Sequence, residues 1–167
     1  MSGGYPTSME KYIIQKKRIA YIRENFFQWS FGKPDGFQPS KDTVLHLDHP
    51  ADLHYLAHIY NWDDGSLVLE WLLDSPLCTR STTNLVFWRA APDFYLKYDI
   101  DDPTAYDDAG FLVLRKIVEK YRKNDFSKYQ IDFDPTDEIE SIMTKNPKWT
   151  FPIGVYDKIE GVDICEY

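Results

Sequence analysis

Residues 53–65, with the sequence LHYLAHIYNWDDG, constrain the fold of this chain more than any other stretch. Their first eight positions carry apolar side chains at the spacing of one helix face: Leu53, Leu56, Ala57 and Tyr60. Proline suits the first turn of a helix because its missing N–H has no partner there, so Pro50 is a suitable first residue. We therefore predict a helix that begins at Pro50 and ends near Asn61, followed by a fixed turn.

The run LVLEWLL at residues 67–73 is apolar almost all round. A helix with that pattern must be covered on most sides, so we expect it at the centre of the fold. A carboxylate just before a helix can accept bonds from its free amide groups, and Asp63 and Asp64 stand in that place. We predict that they cap this helix and that the turn is a structural motif of six residues: Tyr60, Asn61, Trp62, Asp63, Asp64 and Gly65.

Capping residues predict four further helix starts, at Thr7 with Glu10, at Thr79 or Ser81, at Asp107 or Asp108, and at Asp134 with Pro135. The first of these helices extends to about Trp29. The last is short and carries the apolar residues Ile139, Ile142 and Met143.

These helices predict a mainly α fold, a single domain over residues 1–167 with an array of about six helices. The N-terminal helix lies in residues 1–31 and the helical core in residues 43–146. Residues 147–167 contain β-forming residues around Gly154 and Gly161, which predicts either a C-terminal tail or a small β-hairpin.

Charge is distributed unevenly along the 167 residues, whose net charge is −8. Residues 1–41 hold seven Lys/Arg against three Asp/Glu, and the remainder holds twelve against twenty-four. An acidic body repels phosphate backbones, so we expect no nucleic-acid partner and instead a basic protein partner. No apolar run approaches the length of a membrane span, and two cysteines form no framework. We therefore expect a cytoplasmic protein without a membrane anchor and without a cofactor.

The four histidines lie within thirteen positions, and His54 and His58 are four residues apart on a predicted helix. Their rings share one face, so they could bind a metal ion with Asp63 or Asp64. The zinc-protease pattern requires Glu directly after the first His, and Tyr55 stands there. We assign no metal site on this basis, and a metal-dependent hydrolase or metal-binding protein that uses His54, His58 and Asp63 stays an alternative.

Five carboxylates occur within ten residues, at Asp99, Asp101, Asp102, Asp107 and Asp108. A calcium loop of the EF-hand type would need Gly and Glu where Thr104 and Gly110 stand, so this stretch does not fit an EF-hand loop. Two tyrosines, Tyr98 and Tyr106, lie beside the carboxylates, and aromatic side chains commonly anchor interfaces. We predict that this stretch, Tyr98 to Asp108, contacts a basic partner.

Residues 54–65, the turn Ser75–Cys78 and the run TTNLVFW at residues 82–88 resemble a bacterial domain family of unknown function, the domain of unknown function 4274 type. Members carry a similar Leu-Ala-x-x-Tyr-Asn-Trp-Asp-Asp-Gly core and then a His-Pro-x-Cys turn, in which Ser75 replaces the histidine here. The resemblance covers about residues 50–92. It implies a bacterial origin and a helical fold, and no reaction.

No nucleophile elbow, Gly-rich phosphate loop, kinase motif or nuclease motif is present. Small size, an acidic body and many aromatic residues are typical of a non-enzymatic binding protein, such as an immunity protein that neutralises a basic toxin. A structural or adaptor module is the further alternative.

Overall fold

The computed structural model describes residues 10–31, 33 and 36–166. Within these residues, six α-helices and two short strands follow one another in the order β1 Lys11–Ile14, α1 Lys16–Phe26, α2 Lys41–Leu45, α3 Pro50–Ile59, α4 Leu67–Asp74, α5 Arg80–Arg89, α6 Ala109–Lys123 and β2 Asp163–Glu166. Short 3₁₀ helices occur at Trp62–Asp64, Pro92–Lys97, Pro135–Asp137 and Ile153–Tyr156. The predicted mainly α fold is confirmed.

Three helix starts lie where the sequence predicts them, because each has a local side-chain acceptor. Helix α3 begins at Pro50, and His49 Nδ1 accepts the Ala51 N–H at 3.0 Å. Thr79 accepts the Thr82 N–H at the start of α5. Asp108 accepts the Gly110 N–H at 2.6 Å at the start of α6.

The N-terminal segment differs from its prediction. Lys11–Ile14 is a strand, and α1 begins only at Lys16, where Gln15 provides no side-chain cap. Of the predicted capping box, Thr7 lies outside the described residues. Strand β1 pairs in parallel with β2, with Lys11 opposite Asp163 and Ile14 opposite Glu166. Residues 163–166 therefore pair with the other end of the chain and form no hairpin of their own.

The predicted last helix is absent from the described residues around 138–146. Only Pro135–Asp137 forms a 3₁₀ turn, and Met143 is 77% exposed. The backbone N–H groups of Met143 and Thr144 instead donate to Asp93 Oδ1 at 2.9 and 3.0 Å. An apolar face with nothing to bury it against does not stabilise a helix in water.

Helix α5 is more fully buried than α4, which corrects the predicted centre of the fold. Eight of the ten α5 residues are buried, whereas Leu67 at the start of α4 is 43% exposed. Trp88 of α5 packs edge-on against Phe87 and Phe151, and its Nε1 donates to the Val155 carbonyl at 2.8 Å. The segment near Val155 thus closes the core over α5.

Candidate functional site

The segment between α5 and α6 exposes a cluster of aromatic rings. Tyr98 and Tyr106 stack with ring centroids 4.3 Å apart and an interplanar angle of 14°. Phe94, in the 3₁₀ helix Pro92–Lys97, lies 6.4 and 6.1 Å from these two rings. Its side chain is 44% exposed, while the tyrosines are half-buried. Sequence reasoning missed Phe94, although its position four residues before Tyr98 was a usable signal.

Two of the predicted carboxylates stabilise the segment itself. Asp108 caps α6 and accepts the Tyr95 hydroxyl at 2.7 Å. Burial and this bond to Asp108 raise the pKa of Tyr95, so the hydroxyl keeps its proton and donates it. Asp102 accepts the Thr104 N–H and hydroxyl at 2.9 and 2.7 Å, which lowers the pKa of Asp102.

The remaining carboxylates differ in how their charge is compensated. Asp101 forms an ion pair with Arg122 at 2.6 Å, and this hydrogen bond lowers the pKa of Asp101. Asp99 is exposed, and among the described residues its side chain accepts only the Asp101 N–H, at 2.9 Å. Asp107 is exposed, and within the described part of the chain neither Asp99 nor Asp107 has a basic partner. We name Phe94, Tyr98, Asp99, Tyr106 and Asp107 the aromatic–acidic surface.

In the motif that follows α3, Asp64 contacts the N-terminal part of the chain. Its side chain is buried and accepts the backbone N–H groups of Trp29 and Ser30 at 3.1 and 3.2 Å, together with the Ser30 hydroxyl. The predicted capping of α4 is wrong, since the N-cap of that helix is Ser66 and its side chain makes no capping bond. Asp64 therefore joins the segment that follows α1 to the turn that follows α3.

The other residues of the motif build the turn around Asp64. Asn61 accepts the N–H of Asp63, whose side chain is exposed, at 3.0 Å. The Tyr60 hydroxyl accepts from Trp29 Nε1 at 3.2 Å and donates to the Gly65 carbonyl at 2.9 Å. Burial raises the pKa of Tyr60 to about 12. Gly65 has φ +89°, a left-handed conformation that favours glycine.

His54 and His58 share a face of α3 as predicted, but they have different partners. His54 Nδ1 lies 2.9 Å from Thr82 Oγ1, and Thr79 Oγ1 donates to the same Thr82 oxygen at 3.0 Å. Burial, with positive charge at His58 and Arg89, lowers the pKa of His54 to about 4, so the ring is neutral near pH 7.

His58 is exposed and contacts a guanidinium. Its carbonyl accepts from Arg89 at 2.6 Å, and its Nδ1 lies 3.4 Å from the same group. A cleft of about 290 Å³ beside the two histidines is also lined by Tyr55, Asp132, Asp163 and Glu166. No three His, Cys, Asp or Glu side chains among the described residues are arranged to hold a metal ion. The described residues therefore do not assemble the set of ligands that the metal-dependent alternative requires.

The described chain contains no helix with the length and apolarity needed to cross a membrane. No curated protein and no solved structure matches the sequence. Residues 48–122 match the family described as Domain of unknown function (DUF4274). This match spans α3 to α5, almost all of α6 and the aromatic–acidic surface between them, and extends beyond the residues that carry the resemblance in sequence. The predicted family is thus confirmed: residues 48–122 of this chain are a DUF4274 domain.

Proposed function

We propose that the protein is a non-enzymatic binding protein whose aromatic–acidic surface covers a basic protein partner, as an immunity protein covers a toxin. One observation carries the proposal. Phe94 is an exposed ring beside the Tyr98–Tyr106 stack, and the flanking carboxylates of Asp99 and Asp107 have no basic partner among the described residues.

The two halves of this surface would contribute differently to binding. Aromatic rings at an interface supply buried apolar area and commonly dominate its energy. Unpaired carboxylates attract a basic protein over a longer range and raise the association rate, an effect that salt screens. The excess of acidic over basic residues in 42–167 also supports a basic partner.

Lys97 is the one feature of this segment that opposes a basic partner. Its Nζ lies 4.0 Å from the centroid of the Phe94 ring, so a cation already occupies that ring face. A partner lysine or arginine would have to displace it. Lys97→Ala should therefore strengthen binding, whereas removal of Phe94 should weaken it.

The proposal is tested on the protein encoded by the neighbouring reading frame, with association measured by surface plasmon resonance. We expect Phe94→Ala to weaken binding by about 2 kcal/mol, mainly through faster dissociation. The double variant Asp99→Lys/Asp107→Lys should slow association, and the slowing should fade as salt increases. Asp137→Lys, an exposed change of charge elsewhere, is the control. Absence of association, or association unaffected by these variants, would contradict the proposal.

The proposal includes a cytoplasmic location. Cys78 and Cys165 are both free thiols, which supports a reducing compartment. Recovery of the protein with the membrane or secreted fraction of its cell would contradict this part.

A further inference from the structure

A groove of about 420 Å³ lies where β1 and α1 meet the start of α3. Its lining includes two aromatic rings, two cations and two carboxylates, at Tyr12, Lys17, Arg18, Tyr21, Asp48 and Asp52. We name it the Asp52 groove. Its volume falls in the range of small-molecule sites and far exceeds that of one water molecule.

One oxygen of the buried Asp52 carboxylate, Oδ2, lacks a hydrogen-bond donor among the described residues. The residue is 1% exposed, and its Oδ2 has no hydrogen-bond partner among the described residues. Arg18 Nε is 3.4 Å from this oxygen, close enough for an ion pair but outside hydrogen-bond geometry. Almost all buried polar atoms in folded proteins are bonded, so an orphan oxygen at a groove indicates a missing donor.

Arg18 is held in place by other acceptors and does not supply that donor. One of its terminal nitrogens donates to the His46 carbonyl and the other to Asp48 Oδ1, both at 3.1 Å. A single guanidinium therefore faces two carboxylates, Asp48 and Asp52. The wall of the groove therefore holds two carboxylates against two cations, Arg18 and the exposed Lys17.

The aromatic walls are fixed by their own contacts. Tyr12 stacks on His49 with ring centroids 3.9 Å apart, and the Tyr21 hydroxyl donates to the Thr43 carbonyl at 3.0 Å. Aromatic faces together with a desolvated carboxylate form the usual environment for an organic cation, because the ring quadrupole and the carboxylate both attract positive charge.

We propose that the Asp52 groove binds an organic cation, an alkyl guanidinium or alkylammonium group, that donates a hydrogen bond to Asp52 Oδ2 and packs its carbon chain against Tyr12 and Tyr21. The inference does not rest on the proposed function, since the two use different residues. Only the cationic group is specified, and it could belong to a free amine or to an arginine side chain of another protein.

The test is an isothermal titration of the full chain with agmatine, which carries a guanidinium and an ammonium on a short alkyl chain. We expect saturable binding that Asp52→Asn weakens at least about tenfold. Because that variant alters a buried site, its fold is checked by circular dichroism. Lys17→Glu is the second variant, since Lys17 is exposed and its replacement should not affect folding.

The Lys17→Glu variant tests the direction in which the affinity for agmatine changes. It should tighten agmatine binding about fourfold, because it removes a repulsive charge and adds an attractive one at the groove. Lys145→Glu makes the same change in net charge at an exposed position outside the groove and should leave the affinity unchanged.

A parallel titration with acetyl-Gly-Arg-Gly-amide distinguishes the two sources of the cation. Binding of agmatine alone supports a free amine, and binding of both probes supports a side chain of a protein. The proposal is overturned if neither probe binds. It is also overturned if acetate binds in their place and Lys17→Glu weakens the binding of acetate.

Discussion

Helix α5 and the Asp52 groove both bury polar side chains, but they differ in whether the buried polar atoms have hydrogen-bond partners. In α5, Ser81 donates to the Ile131 carbonyl at 2.6 Å, Thr83 to the Thr79 carbonyl at 2.9 Å and Asn84 to the Gly154 carbonyl at 3.0 Å. In the groove, Asp52 Oδ2 is as deeply buried and has no hydrogen-bond donor in the described part of the chain. Satisfied polar groups join segments of the fold, whereas the unsatisfied one indicates a site.

Asn84→Ala should show the largest effect of the variants that test this comparison. Asn84 is fully buried, accepts the Tyr121 hydroxyl and donates to Gly154, so its loss leaves the half-buried Tyr121 hydroxyl without this acceptor. We expect the free energy of unfolding to fall by about 3 kcal/mol in urea denaturation. Ser141→Ala, at an exposed position, is the control. A loss below about 1 kcal/mol would show that the α5 polar groups are dispensable.

Asp64→Ala should have the next largest effect, about 2 kcal/mol, because the N–H groups of Trp29 and Ser30 lose their acceptor. The adjacent Asp63→Ala is a matched control, since Asp63 is exposed and contributes only its backbone N–H to the turn. Equal losses in the two variants, measured by thermal unfolding, would contradict the division of roles between these aspartates.

Asp52→Asn should change how stability depends on pH. Burial raises the pKa of Asp52, so the native state holds this proton more tightly than the unfolded state. Stability contributed by the protonated form is therefore lost as pH rises through the raised pKa. The difference in unfolding free energy should move in favour of the variant as the pH rises above the ordinary pKa range of a carboxyl group.

Asp48→Asn is the control for that experiment, because it removes the exposed carboxylate that bonds the same guanidinium. Parallel stability curves for Asp52→Asn and the wild type would show that the Asp52 carboxylate is not perturbed by burial.

Asp107→Lys should show the smallest effect on stability, within about 0.5 kcal/mol, since its side chain is exposed and has no partner in the described chain. Differential scanning calorimetry measures this directly. A larger loss would mean that Asp107 supports the fold, and it would then be unsuitable as a probe of partner binding.

Sequence reasoning predicted those elements whose determinants are local. The start of α5 depends on Thr79 and an amide three residues later, and the start of α6 on Asp108 and an amide two residues later. Such bonds are encoded by spacing alone. The same holds for the motif from Tyr60 to Gly65, where Asn61 and Gly65 build the turn.

The errors share a different cause, since each depends on residues far away in sequence. Asp64 was predicted to cap the helix beside it, but its partners, Trp29 and Ser30, lie more than thirty positions upstream. Ile139, Ile142 and Met143 have helical spacing, but the fold provides no surface to bury them. Asp52 was indistinguishable from an ordinary polar residue in the first turn of a helix, and only the approach of Arg18 and β1 buries it.

The parallel pairing of β1 with β2 has a consequence for synthesis. Strand β1 leaves the ribosome about 150 positions before β2, so Ile14 has no partner strand while the helices between them form. Closing so long a loop directly would be entropically costly, but helices that have already folded bring the two strands near each other. The sheet should therefore form after these helices, and Ile14 stays accessible to solvent or to chaperones until β2 has been synthesised.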